Sequence, residues 1–340
     1  MQYTGSELVF LARQRLRQAT PQFTYRKGGT AQRFFSQSIR RLFPHMPAAD
    51  CHELCRRHYL SMHQRRQLRR HLGRLDASGM ERFLYRHVKV EGQEYLDLVR
   101  NSERPVVLFT PHYGNFTVVA LKLIQAIGRV KTVNSFHNPL PASHPMGDVE
   151  SLFGRLGYGY TPIPNDDSGA ALKAIRALRR GEVLTIMPDS LGVTGHTSYV
   201  PFFGHLVPAM AGASLFALKS NAVVIGIYGC PEEGLQTTLR LSAPLEIERS
   251  GDLDIDMRTL ASAMFRDMER QIRRSPEHWY LLPEIGGVLA ATLRLAPPTD
   301  LGWLGQLRQA APEFQQAVPE LERTLAELAQ RQMAGGGGLF

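Results

Sequence analysis

The stretch TPHYGNFTVV, residues 110–119, sets a histidine directly after an apolar run and directly before a helical pattern. The apolar run PVVLFT (105–110) reads as a short buried strand. Residues 115–128 read as a helix with Phe116, Val119, Ala120, Leu123 and Ile127 on one side. His112 therefore falls at the carboxyl end of a strand, the edge where α/β sheets bind ligands. Gly114 lets the backbone turn sharply, so the imidazole can face a crevice. Histidine titrates near neutrality and suits general-base work, and a helix N-terminus beside it favours the neutral form. A single histidine after a strand is more often structural, so the reading needs company.

That company lies downstream. IMPDSLGVTGHTSYVPFFGHLVPAMAGASLFALKSNAVVI (186–225) gives a strand ending in Pro188-Asp189, a glycine-bearing loop at Gly192, an aromatic pair with glycine (Phe202, Phe203, Gly204), then a helix and a strand. The elements that must hold these groups alternate from about residue 85: strand HVKVEG, helix QEYLDLVRNS, the strand and helix around His112, strand RVKTVNSF, helices DVESLFGRLG and SGAALKAIRALRRG, and strand EVLTIMP. AGASLFALKSN, AVVIGIYG and TTLRLSAPLEI continue the alternation, and a helix follows from about Met257 to Arg274. Strands alternating with helices of this length predict an α/β fold, a layered and mostly parallel sheet flanked by helices.

The ends differ from this core. Residues 6–19 group Leu8, Val9, Leu11 and Leu16 among arginines, a short basic amphipathic helix. RFFSQSIRRLFPHMP places Phe34, Phe35, Ile39, Leu42 and Phe43 at helical spacing, and Asp50 reads as the N-cap of a basic helix over 51–74 with Glu53 at its third position. The expected organisation is a basic helical region over 1–84 packed on the core, an α/β domain over 85–296, and a helical tail over 297–340 with a disordered glycine-rich end.

The net charge is +9, yet Met1–Leu75 alone hold 15 Lys/Arg against three acids, so the remainder is slightly acidic. Such a basic face suits an anionic membrane surface or an acidic carrier protein, and a merely solvated face equally. No nucleic-acid module accompanies the charge, so nucleic acid is not an expected partner. Three cysteines (Cys51, Cys55, Cys230) are too few for a disulfide framework and favour a reducing compartment. CHELC (51–55) lacks a second metal-ligand pair, and Arg56 stands where an HExxH motif needs histidine. GASLF (212–216) lacks the final glycine of a serine-hydrolase elbow. No apolar stretch reaches bilayer length and the N-terminus lacks a signal-peptide core, so a cytoplasmic protein, peripheral on the inner face of the cytoplasmic membrane, is expected.

PHYGNF, RALRRGEVLTIMPDS and the VPFFG…AGASLFALKSNAVVI segment together resemble the lysophospholipid acyltransferase superfamily, nearest to the bacterial lipid A late acyltransferases that transfer lauroyl and myristoyl groups. The resemblance runs from roughly Arg33 to Leu282, with FPHMPAADCHELCRRHYL near its start and SPEHWYLL near its end. It implies a glycerolipid acyltransferase-like fold and acyl transfer from a thioester, on acyl carrier protein or coenzyme A, to a hydroxyl or amine of a lipid or small-molecule acceptor. No metal or organic cofactor is implied. His112 falls on the general base of that family, and Thr117 falls on its catalytic acid. Gly114, Asn115 and Phe116 match the intervening residues, Asp189 the Pro-Asp block, and Phe202, Phe203 and Gly204 the segment near the acyl or acceptor pocket. Family members usually carry an anion-binding arginine after the strand KTVN; here SFHNPLP has none, and Arg155 is the candidate to replace it. Backbone N–H groups near Gly192 or Gly204 would hold the oxyanion, and Phe202, Phe203, Met210 and Phe216 are candidates to close the far end of an acyl pocket.

Thr117 can accept a hydrogen bond from an imidazole but carries no charge to stabilise an imidazolium. Three explanations fit. The acid comes from elsewhere, Asp189 first and Asp166 or Asp167 behind it. The acceptor needs only a weak base. Or the chain is a non-catalytic acyl-binding or scaffold protein.

Overall fold

The computed structural model describes residues 4–5, 7–9, 11–12, 30–137, 149–191, 197–290 and 293–294. In chain order these form α1 (Thr30–Leu42), α2 (Ala48–Leu72), α3 (Ala77–His87), β1 (Val88–Glu91), α4 (Gln93–Asn101), β2 (Val106–Phe109), α5 (Phe116–Ile127) and β3 (Val133–His137). Then follow α6 (Val149–Gly154), β4 (Tyr160–Pro164), α7 (Ala170–Arg179), β5 (Val183–Ile186), β6 (Thr197–Phe202), β7 (His205–Met210), α8 (Gly212–Lys219), β8 (Val223–Pro231) and β9 (Thr237–Leu241). α9 (Leu253–Arg274), a 3-10 turn (Pro276–His278), α10 (Ile285–Ala290) and β10 (Leu293–Arg294) complete the order.

Seven strands make one sheet in the order β1-β9-β8-β2-β5-β3-β4. Every neighbouring pair is parallel except β8 with β9. The sheet's centre is β2, buried along its whole length. Side chains alternate across a strand, and here both faces are dry. Val107 and Phe109 enter one apolar layer with α1, α7, α8 and α9, while Val106 and Leu108 enter the other with α3, α4 and α5. The α/β reading with a mostly parallel sheet therefore holds. A separate antiparallel sheet of β6, β7 and β10 stands apart from it; the glycine and proline punctuation of 191–208 hid the hairpin from the periodicity.

α2 begins at Ala48, two residues before the expected cap; Pro47 stands at the N-cap with an extended backbone, φ −57° and ψ 151°. Asp50 lies inside the first turn, where its charge favours the helix dipole, and Glu53 pairs with Arg56 at 2.6 Å. α9 likewise starts four residues early because Asp252 accepts from the N–H groups of Asp254 and Ile255. Long α2 reaches both layers: Cys51, Leu54 and Cys55 pack in one, Leu68 and Leu72 in the other. It therefore passes across an end of the sheet, and its middle turns meet the loop that follows β2. The helical tail and glycine-rich end expected over 297–340 lie outside the described residues, as do residues 13–29.

Candidate active site

β2 delivers His112 three residues past its last position, and the chain must then turn into α5. Gly114 makes that turn at φ +53° while pressed against β8. A Cβ there would stand 1.9 Å from the Gly229 carbonyl oxygen, so no other residue fits. The Asn115 N–H donates to that same carbonyl at 2.9 Å, and its side-chain amide donates to Thr237 Oγ1 at 2.8 Å. Gly114 and Asn115 thus anchor the loop to the sheet. Phe116 sets its ring edge-on to the imidazole, with the ring centroids 6.2 Å apart.

The segment after α9 runs along this loop as a strap. Gly114 N–H donates to the His278 carbonyl at 2.8 Å, and Tyr280 N–H donates to the His112 carbonyl at 2.7 Å. The strap is itself held by α2, where the buried His58 Nδ1 donates to the Glu277 carbonyl at 3.0 Å and Ser61 Oγ meets His278 Nδ1 at 2.7 Å. Burial drives His58 down to about 4 and lowers His278 as well, so both stay neutral around pH 7.

Asp189, fully buried, reaches His112 from the loop after β5. Its Oδ1 lies 2.7 Å from His112 Nδ1, and its Oδ2 accepts from the His112 backbone N–H at 2.8 Å and from the Trp279 indole N–H at 2.9 Å. An ionised carboxylate only accepts, so Nδ1 carries the proton and Nε2 keeps its lone pair. The imidazole side chain is 27 % exposed. Burial disfavours the imidazolium, but the charge and hydrogen bond of Asp189 outweigh it and raise the His112 pKa above its ordinary value.

Thr117 is buried on α5, and no hydrogen bond joins it to His112 among the described residues. Asp167 accepts from the Gly169 N–H and pairs with Lys173, and Asp166 is exposed. Of the three candidate acids, only Asp189 meets the imidazole. Arg155 Nη1 donates to the carbonyls of Gly73 and Leu75 at 2.8 Å each, tying off the end of α2. Phe202 and Phe203 are core residues. Phe202 packs edge-on against Phe265 and Trp279, and Phe203 stacks on Trp279 at 6.0 Å. They brace the indole that holds Asp189. Gly204 makes the hairpin turn with Phe203, both at positive φ. Phe216 stacks on Phe136 at 5.6 Å, Met210 is half-buried at the end of β7, and Gly192 lies outside the described residues.

Three residues at the site carried no readable signal in isolation: Trp279, Tyr280 and Arg65. The Arg65 guanidinium lies over the rings of Phe116 and Tyr280, at 5.2 and 4.5 Å. A pattern could have found it. Cys51, Leu54, His58, Ser61, Leu68 and Leu72 form the buried stripe of α2, and Arg65 falls on it at helical spacing. A cleft of about 750 Å³ lined by Arg82, Tyr85, Arg86, Arg100 and Arg129 lies instead near the last turn of α5, away from His112.

The chain finds no match among curated proteins. The family described as bacterial lipid A biosynthesis acyltransferase matches residues 19–284, a span that includes His112, Asp189 and Trp279. The chain belongs to the bacterial lipid A biosynthesis acyltransferases, which transfer acyl groups to lipid acceptors.

Proposed function

We propose that this chain moves a fatty acyl group from an acyl thioester, on acyl carrier protein or coenzyme A, to a hydroxyl or amine of a lipid or specialised-pathway acceptor, with His112 as general base and Asp189 as its acid. The observation that carries the reading is the 2.7 Å contact of Asp189 with His112 Nδ1, which leaves the lone pair on Nε2. His112 Nε2 takes the acceptor proton while the acceptor's oxygen or nitrogen attacks the thioester carbonyl carbon. The tetrahedral intermediate then collapses with cleavage of the carbon–sulfur bond. The departing thiolate receives the proton from the imidazolium, so ester or amide and free thiol are formed and the base is restored. Asp189 fixes the tautomer and stabilises the imidazolium in between.

Thr117 has no part in this assignment, since the carboxylate that family members place there has a substitute at 189. The basic face supports an acidic carrier donor and an anionic membrane surface. Exposed Leu8 and Val9 and the arginine-lined cleft at Arg82–Arg129 are consistent with both. No helix among the described residues is long and apolar enough to cross a membrane, which agrees with peripheral attachment to the inner face of the cytoplasmic membrane.

Thioester consumption by the purified chain, with carrier-protein and coenzyme A donors and a panel of hydroxyl and amine acceptors, tests the proposal. His112→Ala is expected to lower turnover by about 10²–10⁴-fold. Acyl binding without turnover by the wild type across all acceptors would sink it in favour of an acyl-binding scaffold protein.

A further inference from the structure

Arg65 sits on the inward stripe of α2, one turn from Ser61 and one turn from Leu68, both buried. Its guanidinium lies over Phe116 and Tyr280, and each of these rings packs on His112, at centroid separations of 6.2 and 6.5 Å. Nη1 is shielded from solvent and has no hydrogen-bond partner. Among the described residues no hydrogen bond or ion pair holds Arg65 at all; its contacts are the two ring faces. The cations of Arg66 and Arg69 lie near it, and no carboxylate bears on it. Burial pulls its pKa down to about 10, so it remains a cation around pH 7.

A guanidinium N–H buried without an acceptor is costly. The two rings return part of that cost through their π faces and leave the Nη1 donor unused. A buried polar group without a partner calls for a ligand or ion. The guanidinium fork matches the oxygens of a phosphate, which two N–H groups can grip side by side. Tyr280 is 41 % exposed and lies over the guanidinium, so rotation of that one ring uncovers the fork.

We infer that Arg65 is a phosphate-binding residue of this site: it takes a phosphoester group carried by a substrate and so holds that substrate beside His112. The inference deepens the acyltransferase reading and rests on it for the word substrate, whereas anion binding itself does not depend on turnover. A phosphoester can arrive on the pantetheine arm of the donor or on the acceptor, and the chemistry Arg65 offers is the same for both.

The test is binding of inorganic phosphate to the full chain by titration calorimetry, wild type beside Arg65→Gln and Arg65→Lys, at fixed ionic strength and pH 7. Wild type is expected to bind, and Arg65→Gln to weaken binding about 10–100-fold, the worth of a charged hydrogen bond. Arg65→Lys, which keeps the charge without the fork, is expected to fall between them, and it carries the test if Arg65→Gln fails to fold. Where turnover is measurable, Arg65→Gln is expected to raise KM for one substrate only: for the donor if the phosphate rides on the donor, for the acceptor if it rides there. Absence of phosphate binding by the wild type, or equal binding by all three proteins, overturns the inference. A fall in kcat with both KM values unchanged overturns it too, because Arg65 would then act on the oxyanion of the intermediate. Phosphate binding lost in Arg65→Gln by a protein without transferase activity would leave the anion site standing and remove the acyltransferase reading.

Discussion

Two charged side chains flank His112, and the fold holds them in opposite ways. Asp189 is saturated: an imidazole N–H, a backbone N–H and an indole N–H converge on one buried carboxylate. Arg65 is starved: its Nη1 is buried with no acceptor, and two aromatic rings are its neighbours. A buried charge with a full set of hydrogen bonds is part of the framework, because moving it would strand every donor aimed at it. A buried charge with none is held ready by its surroundings and is completed by something that arrives. The two also act on His112 in opposite senses, Asp189 favouring the imidazolium and Arg65 opposing it.

Breaking the saturated side should have the largest effect. Asp189→Asn removes the charge and presents an amide to Nδ1, and a wrong tautomer in a histidine–aspartate pair lowers turnover by about 10⁴-fold in serine proteases. A loss of that order is expected here. The pH profile tells this from simple misfolding. A general base must be neutral, so the wild-type rate falls as pH drops through a His112 pKa held above its ordinary value. In Asp189→Asn the acid limb of kcat/KM moves to lower pH, and in Arg65→Gln it moves to higher pH. Equal or absent shifts would show that the two side chains do not divide the field at His112 as the geometry indicates.

Trp279→Phe sharpens the comparison by taking one donor from Asp189 while keeping a ring in the core. A hydrogen bond to a charged group contributes about 1.5–3 kcal/mol, so a clear drop in unfolding free energy is expected in chemical denaturation. Turnover should fall less than in Asp189→Asn, since two donors still hold the carboxylate. An unchanged denaturation midpoint would mean that Asp189 is held without the indole. Thr117→Val is the mildest. With Asp189 on Nδ1, loss of the threonine hydroxyl should change turnover by less than about threefold, because the substitution removes no bond to His112. A loss as large as that of Asp189→Asn would return the acid's role to position 117.

Much of the fold was legible. PVVLFT, EVLTIMP and AVVIGIYG are dominated by apolar residues, as strands of a parallel sheet covered on both faces require, and they became β2, β5 and β8. Helix starts were less so. Pro47 and Asp252 set them locally, while the apolar pattern begins a few residues later. At the site, Gly114 was readable for its turn, but the reason no side chain fits is the Gly229 carbonyl, 115 residues away in the chain. Phe202 and Phe203 are expected near a pocket because their segment matches the family's aromatic-glycine run. In three dimensions they are the packing behind Trp279.

Residue types and their order were enough to place a histidine at the carboxyl end of a buried strand. With the family resemblance pointing to the position five residues on, they also showed that Thr117 there carries no charge, and which aspartates remained. Those are matters of side-chain chemistry and of periodicity, which a chain carries locally. They put Asp189 ahead of Asp166 and Asp167 but did not show the contact, because Asp189 Oδ1 meets His112 Nδ1 only once β5 pairs with β2 in a given register. The selection of Arg65 from a helix rich in arginines was beyond them. Every arginine on α2 has the same chemistry. Which of them loses its water and faces a base depends on where that helix crosses the sheet.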